Sequence, residues 1–281
     1  MPAWRIAIVS MVPPVVEPLV AHLREPGHEP VAWLIARRPP GTPLPPWGDI
    51  TDRSTPERLN LLFARDKWAV APLLRGLEPD LMLCWGFPWK LPQEALDVAR
   101  LGSVNQHPGL LPRHRGPIPL AWALRERDGR FGLTWHRMDA ELDTGAILAQ
   151  TTVPIEDDDC TIDEIGPKLV ENALAMLPRV FERVEAGDPG DPQPGEGATW
   201  AGHFEEDYAS VDWTQPARAV HDQVRAWHLT FGLSQVEGPL AELDGGRVKL
   251  LRTSLTDPGD GARRVECGDA PLWVVESEPA S

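Results

Sequence analysis

Cysteine is scarce in this sequence of 281 residues. The three cysteines, Cys84, Cys160 and Cys267, lie far apart and form no Cys-x-x-Cys pair. Their spacing therefore indicates neither a zinc site nor a disulfide framework, and we predict no metal. Cys84 stands in an apolar run, which favours a small buried hydrophobe over a nucleophile.

Long apolar runs are missing as well. The sequence contains no apolar stretch of about 18 residues, the length that a membrane-spanning helix requires. The N-terminal residues lead straight into a strand pattern, without the apolar segment of a signal peptide. We therefore expect a cytoplasmic protein with reduced thiols and no membrane partner.

Basic residues are in deficit. The chain has 27 Lys and Arg against 42 Asp and Glu, which gives a formal net charge of −15. Such a field repels polyanions, so a nucleic acid would need a local basic patch in order to bind. The longest basic runs are two pairs of arginines, at 37–38 and 263–264. The composition therefore disfavours a nucleic-acid partner.

Apolar segments alternate between strand and helix character along the first two thirds of the chain. Short apolar runs predict strands at 5–11, 31–35, 81–85, 103–105, 132–138 and 146–155. Apolar residues at helical spacing predict helices at 14–25, 55–76, 92–100, 118–127 and 164–186, the last kinked at Pro178. This alternation predicts an α/β domain with a parallel-rich sheet. No Gly-x-Gly-x-x-Gly follows the first strand, so we do not expect NAD.

The character of the sequence changes after a segment rich in Gly, Pro and Asp at 187–195. Beyond it, the pattern predicts an amphipathic helix at 217–227 and short strands at 248–251 and 272–275. We therefore expect three parts: an N-terminal catalytic domain over 1–188, a linker over 189–199, and a small, mostly β domain over 200–281.

Two polar clusters follow predicted strands. In the first, Asn105 and His107 stand two residues apart at the end of a strand, a spacing that places both side chains on one side of the chain. The second cluster closes with an Asp-Thr-Gly turn that begins at Asp143. Ligand sites in open α/β sheets lie beyond the carboxyl ends of the strands. Taken alone, each cluster has a plainer interpretation, either a loop that satisfies its own backbone or a hairpin turn.

Together, the two clusters suit the transfer of a formyl group to an amine. The attack produces a tetrahedral oxyanion, to which Asn105 or a protonated His107 could donate a hydrogen bond. The amine must lose a proton and the leaving nitrogen must gain one, and a histidine near neutrality can serve both steps. Asp143 would orient the imidazole and favour its charged form. The reaction needs neither a metal nor a covalent nucleophile.

Longer motifs around these residues resemble a known family. Residues 105–117, Asn-Gln-His-Pro-Gly-Leu-Leu-Pro-Arg-His-Arg-Gly-Pro, resemble the N-x-H-P-S-L-L-P-x-x-R-G signature of the 10-formyltetrahydrofolate-dependent formyltransferases. Residues 132–134 and 142–145, Gly-Leu-Thr and Leu-Asp-Thr-Gly, resemble the family's second motif. Residues 193–228 resemble its linker and the opening of its C-terminal domain. The family includes methionyl-tRNA formyltransferase, sugar-nucleotide N-formyltransferases and the hydrolase domain of formyltetrahydrofolate dehydrogenase.

The resemblance implies a fold, a donor and a set of site residues. The fold would be a Rossmann-like formyltransferase domain followed by a small, OB-like open β-barrel. The formyl donor would be 10-formyltetrahydrofolate, and the catalytic set would be Asn105, His107 and Asp143. Two segments would line the pocket of the donor's pterin ring, and they contribute the residues Trp85, Gly86, Phe87, Pro88, Trp89, Leu91, Arg137, Asp139, Ala140, Glu141 and Leu142.

Two features depart from the family pattern. Gly109 replaces the usual serine of the first motif, which changes the flexibility of the loop but removes no proposed catalytic group. Residues 200–281 contain seven Lys and Arg against fourteen Asp and Glu, whereas an enzyme that formylates tRNA would offer a basic surface here and near residues 37–49. We therefore expect the acceptor to be the amine of a small molecule.

Three alternatives remain open at this stage. The acceptor could be methionyl-tRNA, or it could be water, which would make the protein a 10-formyltetrahydrofolate hydrolase. The hydrolase domain of the family, however, lacks the asparagine that Asn105 supplies. The third alternative is a folate-binding module without catalysis. His136 has no clear role, and we expect His114 and Arg115 to order the loop of the first motif rather than to take part in chemistry.

Overall fold

A computed structural model of the chain describes residues 2–37, 55–234, 236–259 and 261–280. These residues fall into two compact units. The first unit comprises Met1–Arg115, Gly132–Thr152 and Leu169–Thr199, and the second comprises Gly116–Phe131, Val153–Lys168 and Trp200–Ser281. Of the segment 37–49, in which a tRNA-binding enzyme would carry basic residues, all but Arg37 lies outside the described residues.

The first unit is built on a seven-stranded sheet of order β3-β2-β1-β4-β5-β6-β7. Its strands are β1 (Arg5–Ser10), β2 (Glu29–Ala36), β3 (Asn60–Ala64), β4 (Leu81–Trp85), β5 (Ser103–His107), β6 (Arg130–Arg137) and β7 (Ile147–Pro154). The first five strands pair in parallel, and β6 runs antiparallel to β5. The predicted α/β class with a parallel-rich sheet is therefore confirmed.

Six helices connect or follow these strands. They are α1 (Pro13–Arg24), α2 (Val70–Arg75), α3 (Gln93–Leu96), α4 (Pro119–Arg125), α5 (Ile162–Ala175) and α6 (Leu177–Glu185). The predicted break at Pro178 is present, because α5 ends at Ala175 and the proline lies in the first turn of α6, where a missing amide N–H is tolerated. Within the described residues, no helix is both long enough and apolar enough to cross a bilayer.

The prediction of one helix over 55–76 is wrong in its first half. Asn60–Ala64 form the edge strand β3, and helical structure begins only after Asp66. The carboxylate of Asp66 accepts hydrogen bonds from the backbone N–H groups of Trp68 and Ala69 and so caps the short 3-10 turn that leads into α2. Short apolar runs suit a strand or a helix equally, so the apolar pattern alone could not place this boundary.

The central strand β1 supports the part of the sheet that carries Asn105 and His107. Ile6, Ala7, Ile8 and Val9 are all fully buried. A parallel strand that is covered on both faces is apolar at every position, and its packing fixes the neighbouring strands. β4 pairs with β1 and β5 pairs with β4, so the strand that carries Asn105 is held by this core.

The second unit contains a four-stranded antiparallel sheet of order β10-β11-β9-β8. This unit includes α4 and the first half of α5. Its further elements are α7 (Glu206–Ala209), α8 (Ala217–His228), β8 (Leu240–Leu243), β9 (Gly246–Ser254), β10 (Arg263–Glu266) and β11 (Pro271–Pro279). This confirms the small β domain of the open-barrel type and adds two strands, β8 and β10, that were not predicted. The exact bounds 1–188, 189–199 and 200–281 stay a prediction, because compactness does not show which segment folds alone.

Gly132 provides a test of the packing that positions the first motif. A Cβ at this residue of β6 would lie 2.1 Å from the backbone nitrogen of Leu110, a distance that only a backbone shift relieves. We expect Gly132→Ala to lower the free energy of unfolding by about 1–3 kcal/mol, as overpacking does in other cores. Urea denaturation followed by circular dichroism measures this change.

Gly76→Ala is the matched control for this variant. Its φ is −70°, which any residue adopts, and nothing lies within 4 Å of the added methyl group. We expect no loss of stability from this change. Alanine reduces the conformational entropy of the unfolded chain, and its methyl group meets no atom in the folded one. Equal denaturation midpoints for the two variants would contradict the proposed packing.

Candidate active site

Four polar side chains come together at β5, β6 and the loop after β6. Asn105 pairs in register with His136 across the two strands, and its Nδ2 lies 3.1 Å from the Nε2 of that ring. The carboxylate of Asp143 lies between two imidazoles. Its Oδ2 is 3.6 Å from Nδ1 of His107, and its Oδ1 is 3.6 Å from Nε2 of His136. The fold thus brings Asn105, His107 and Asp143 into one cluster and adds His136 to it.

The cluster is shielded from solvent. The side chains of His107, His136 and Asp143 are 4%, 3% and 7% exposed. Charges interact more strongly in such a place than in water, since the effective dielectric constant is lower. Protonation of one ring therefore changes the electrostatic energy of the carboxylate and of the other ring more than it would in water.

The orientation of His107 is set by a backbone carbonyl. Its Nε2 lies 2.7 Å from the carbonyl oxygen of His114. A carbonyl oxygen only accepts, so Nε2 carries a hydrogen and donates it, and Nδ1 is left facing Asp143. At 3.6 Å the carboxylate acts through its charge. The sequence suggested that Asp143 orients the imidazole of His107. In the structure, the carbonyl of His114 orients it, through the hydrogen bond at Nε2.

The environment of His107 favours a neutral ring. Burial lowers the pKa of His107 below its ordinary value of 6.5; the charge of Asp143 opposes this effect, and the neighbouring His136 adds to it. In the neutral ring the hydrogen is on Nε2, so Nδ1 has a free lone pair. His107 is therefore suited to accept a proton at Nδ1 near neutral pH.

Cys84 lies beside this cluster but does not contribute a nucleophile. It pairs in register with Asn105 from the adjacent strand β4. Burial raises the pKa of its thiol to about 12, and the charge of Asp143 acts in the same direction. The thiolate is the nucleophilic form of cysteine, so this residue is inert near neutrality. Its interpretation as a small buried hydrophobe agrees with this environment.

Local backbone constraints hold Asp143 in place. Asp143 has a φ of 56°, a left-handed conformation that Asp adopts more readily than most residues. Two residues later, a Cβ on Gly145 would lie 1.8 Å from the carbonyl oxygen of Arg137, so only glycine permits this approach. The side chain of Gln193 donates from Nε2 to the carbonyls of Asp143 and Gly145, at 2.9 and 2.8 Å.

Gln193 also connects this loop to the first motif. Its Oε1 accepts hydrogen bonds from Nε and Nη2 of Arg115, at 3.0 and 2.6 Å. The backbone N–H of His114 donates to Oγ1 of Thr199 at 2.8 Å. His114 and Arg115 therefore order the loop of the first motif. The sequence placed Gln193 only in a linker, because bonds to distant backbone groups leave no local pattern.

The aromatic residues of the first predicted donor-binding segment pack partly into the core. Trp85 is buried and meets Trp135 edge to face at 5.6 Å between ring centroids. Phe87 and Trp89 are half-buried and meet edge to face at 5.2 Å. Leu91 is buried, whereas Gly86 and Pro88 are exposed. The segment thus has a fixed apolar base and an exposed backbone.

The second predicted donor-binding segment is an ordered surface loop. Asp139, Ala140, Glu141 and Leu142 are exposed. The carboxylate of Asp139 accepts from the backbone N–H of Glu141 at 3.0 Å, which closes a tight turn. Glu141 pairs with Lys90 at 2.8 Å, so the two segments lie side by side.

Arg137 is placed differently from the rest of this segment. Its guanidinium donates to the carbonyls of Leu101 and Asp188, at 2.8 and 3.0 Å. The side chain therefore braces the protein itself. Only the backbone of Arg137 would then be available to contact the donor. The role of every residue in the predicted donor-binding set stays a prediction.

Comparison with known proteins identifies the family. The formyl transferase family matches residues 63–181, and the C-terminal domain of formyl transferases matches residues 205–281. The methionyl-tRNA formyltransferase of Paracoccus denitrificans is 33% identical over 231 residues, which cover 80% of this chain and 72% of that protein. That of Burkholderia ambifaria is 37% identical over 210 residues, 72% of this chain and 61% of its own length. The chain belongs to the 10-formyltetrahydrofolate-dependent formyltransferase family.

Solved structures share the fold at low sequence identity. HypX from Aquifex aeolicus, in complex with tetrahydrofolic acid, superposes with a TM-score of 0.70 at 20% identity; the match covers all of this chain and 45% of HypX. An N-formyltransferase from Helicobacter canadensis, in complex with folinic acid and dTDP-3-aminofucose, gives a TM-score of 0.67 at 13% identity over 98% of this chain and 99% of that one. These likenesses confirm the fold of a formyltransferase domain followed by its C-terminal domain.

The titration of His107 follows from its burial. Its folded-state pKa lies below the ordinary 6.5, so the folded protein takes up this proton at lower pH than the unfolded chain does. The stability that this neutral ring contributes is present above pH 6.5 and is lost as the pH falls through the folded pKa. We expect the NMR titration of His107 to have its midpoint below the ordinary histidine value of 6.5.

Asp143→Asn sharpens this test. The variant removes the charge that raises the pKa of His107, so the midpoint should move further toward acid. A midpoint for His107 above 6.5 in the parent protein, or a shift toward higher pH in the variant, would contradict the assigned electrostatics.

Proposed function

We propose that this protein transfers the formyl group of 10-formyltetrahydrofolate to the amine of a small molecule. One observation carries the proposal: in a chain of the formyltransferase family, His107 and Asn105 lie in one cluster with the buried carboxylate of Asp143. Acyl transfer between nitrogens needs a proton carrier, an oxyanion donor and a counter-charge, and this cluster contains one of each.

The three residues divide the work as follows. As the acceptor nitrogen attacks the formyl carbon, Nδ1 of His107 takes the proton that this nitrogen loses. As the bond from the formyl carbon to the donor nitrogen breaks, the same ring returns the proton to the leaving nitrogen. Asp143, 3.6 Å from Nδ1, stabilises the imidazolium in between. Asn105 donates a hydrogen bond to the oxygen that becomes negative.

The segments beside the cluster suit a flat donor. The half-buried Phe87 and Trp89 offer apolar ring surface, and the exposed loop 139–142 offers backbone donors and acceptors. A pterin ring, which is flat and carries polar edges, requires this combination of apolar walls and a few polar groups. HypX and the Helicobacter canadensis enzyme were solved with tetrahydrofolic acid and folinic acid bound, which supports a folate donor for this chain too.

The charges of the C-terminal segment support a small acceptor. Binding to tRNA rests on basic side chains that can face phosphates. Among the described residues of 200–281, six of the seven Lys and Arg pair with carboxylates. The pairs are Arg218 with Asp157, Arg225 with Asp222, Lys249 with Glu278, Arg252 with Glu164, Arg263 with Asp244 and Arg264 with Glu266. The acidic side chains that hold these cations would themselves repel a phosphate backbone.

Methionyl-tRNA is the second candidate acceptor. It is favoured by the sequence comparison, in which curated relatives at 33–37% identity are methionyl-tRNA formyltransferases. The two candidates differ in one measurable property: tRNA binding weakens steeply with salt because cations are released from the phosphates, whereas the binding of a small amine does not.

One assay separates the candidates. The protein is incubated with 10-formyltetrahydrofolate alone, with a pool of amino sugars and amino acids, or with methionyl-tRNA, and tetrahydrofolate release is followed. We expect release that depends on the small-amine pool and changes little between low and physiological salt. Release only with methionyl-tRNA, release without any amine, or folate binding without release would respectively indicate tRNA formylation, hydrolysis or an inert folate-binding module.

His107→Ala tests the catalytic assignment. Loss of a general acid–base should lower the rate of formyl transfer by about 10²–10⁴-fold, because proton transfer contributes that much. Donor binding, measured by calorimetry, should stay unchanged. His203→Ala, at an exposed histidine, is the control and should retain the parent rate. A parent-like rate for His107→Ala would remove the assignment.

A further inference from the structure

His136 is a buried histidine that the proposed chemistry does not use. Both of its ring nitrogens have polar neighbours. Nδ1 lies 2.7 Å from the carbonyl oxygen of Arg137, and Nε2 lies 3.1 Å from Nδ2 of Asn105. The ring is 6.4 Å from that of His107, measured between centroids. His136 is therefore in contact with Asn105, the proposed oxyanion donor. The proton carrier of the proposed reaction is His107.

The two contacts fix the hydrogen of the neutral ring. The carbonyl of Arg137 can only accept, so Nδ1 donates to it and carries the hydrogen. Nε2 then has a lone pair and accepts from the amino group of Asn105. The reverse arrangement would leave two acceptors facing each other at Nδ1. The bond to Arg137 therefore decides how Nε2 meets the carboxamide.

This arrangement determines which end of the Asn105 carboxamide faces the ring. A carboxamide can turn by 180° and exchange its oxygen for its amino group, and only a partner with a fixed role selects one orientation. Nε2 of His136 selects the amino end. One N–H of Asn105 is then held by the ring, and the other remains available to donate.

We propose that His136 is a positioning residue that holds the carboxamide of Asn105 with its amino group set to stabilise the oxyanion. The inference rests on the proposed function, in which Asn105 is that donor. Catalysis by hydrogen-bond donors depends on their being oriented before the reaction. A residue that selects the donating end of Asn105 therefore affects the rate without touching the substrate.

A double-mutant cycle tests this role. Tetrahydrofolate release is measured for the parent, His136→Phe, Asn105→Ala and the double variant. We expect His136→Phe alone to lower kcat by about tenfold to a hundredfold, since small misplacements of a catalytic group have effects of this size. The KM for the donor should not change. In the Asn105→Ala background, the same substitution should have no further effect on kcat, because the group it positions is gone.

His136→Gln is the conservative variant. Its amide oxygen can accept from Asn105 as Nε2 does, whereas phenylalanine cannot. We expect kcat to recover in part relative to His136→Phe. Independent effects in the cycle, in which the two losses multiply, would overturn the proposal. A rise in KM at constant kcat would do the same, as it would indicate substrate binding by His136.

A readout without turnover separates this inference from the proposed function. Nitrogen-15 NMR of the histidine rings reports which nitrogen carries the hydrogen. We expect His136 to be in the Nδ1–H form, with its Nε2 resonance moving in Asn105→Ala as the hydrogen bond is lost. An Nε2–H form would overturn the inference even in an active enzyme. Absence of formyl transfer together with the expected spectrum would overturn the proposed function and leave the positioning contact in place.

Discussion

The site depends on one buried carboxylate that faces two imidazoles. Asp143 is 7% exposed and has each of its oxygens 3.6 Å from a ring nitrogen, one of His107 and one of His136. An ionised carboxylate is costly to remove from water, and a cation nearby offsets that cost. The attraction is largest when His107 becomes an imidazolium, which in the proposed reaction occurs only after the amine has attacked. In that proposed reaction, Asp143 would therefore stabilise the reacting state more than the resting state, which is the condition under which an interaction raises kcat.

The position of this carboxylate is specified by backbone contacts. Gly145 allows the loop to approach the carbonyl of Arg137, and Gln193 ties the carbonyls on either side of Thr144 to Arg115. Arg115 adjoins His114, whose carbonyl orients His107. The loop that carries the carboxylate and the loop that orients the imidazole thus share one bracing side chain. A shift in either loop changes the distance between carboxylate and ring, and so the electrostatic stabilisation.

The sequence predicted which polar residues the fold brings together better than it predicted the contacts between them. Asn105, His107 and Asp143 were recognisable because they stand in local motifs, the first two at the end of β5 and the third in the loop after β6. The sheet followed from the alternation of apolar segments, except at 60–64, where an apolar run suited a strand and a helix equally. His136 was ambiguous, since strand alternation does not show which neighbour a polar side chain meets. Gln193 lies 50 residues from Asp143, and no pattern within the sequence reports such a bond.

In the C-terminal segment, the excess of acidic residues argues against a tRNA acceptor more strongly than the ion pairs do. An exposed pair between a basic and an acidic side chain contributes only about 0–1 kcal/mol, so pairing alone would not prevent a cation from turning to a phosphate. When an arginine turns away, however, its carboxylate partner stays in place and faces the incoming polyanion. The segment has fourteen acidic residues and seven basic ones. Its acidic side chains therefore repel a phosphate backbone more than its basic side chains attract it. A small amine carries no phosphate backbone, so the negative field of this segment does not oppose its binding.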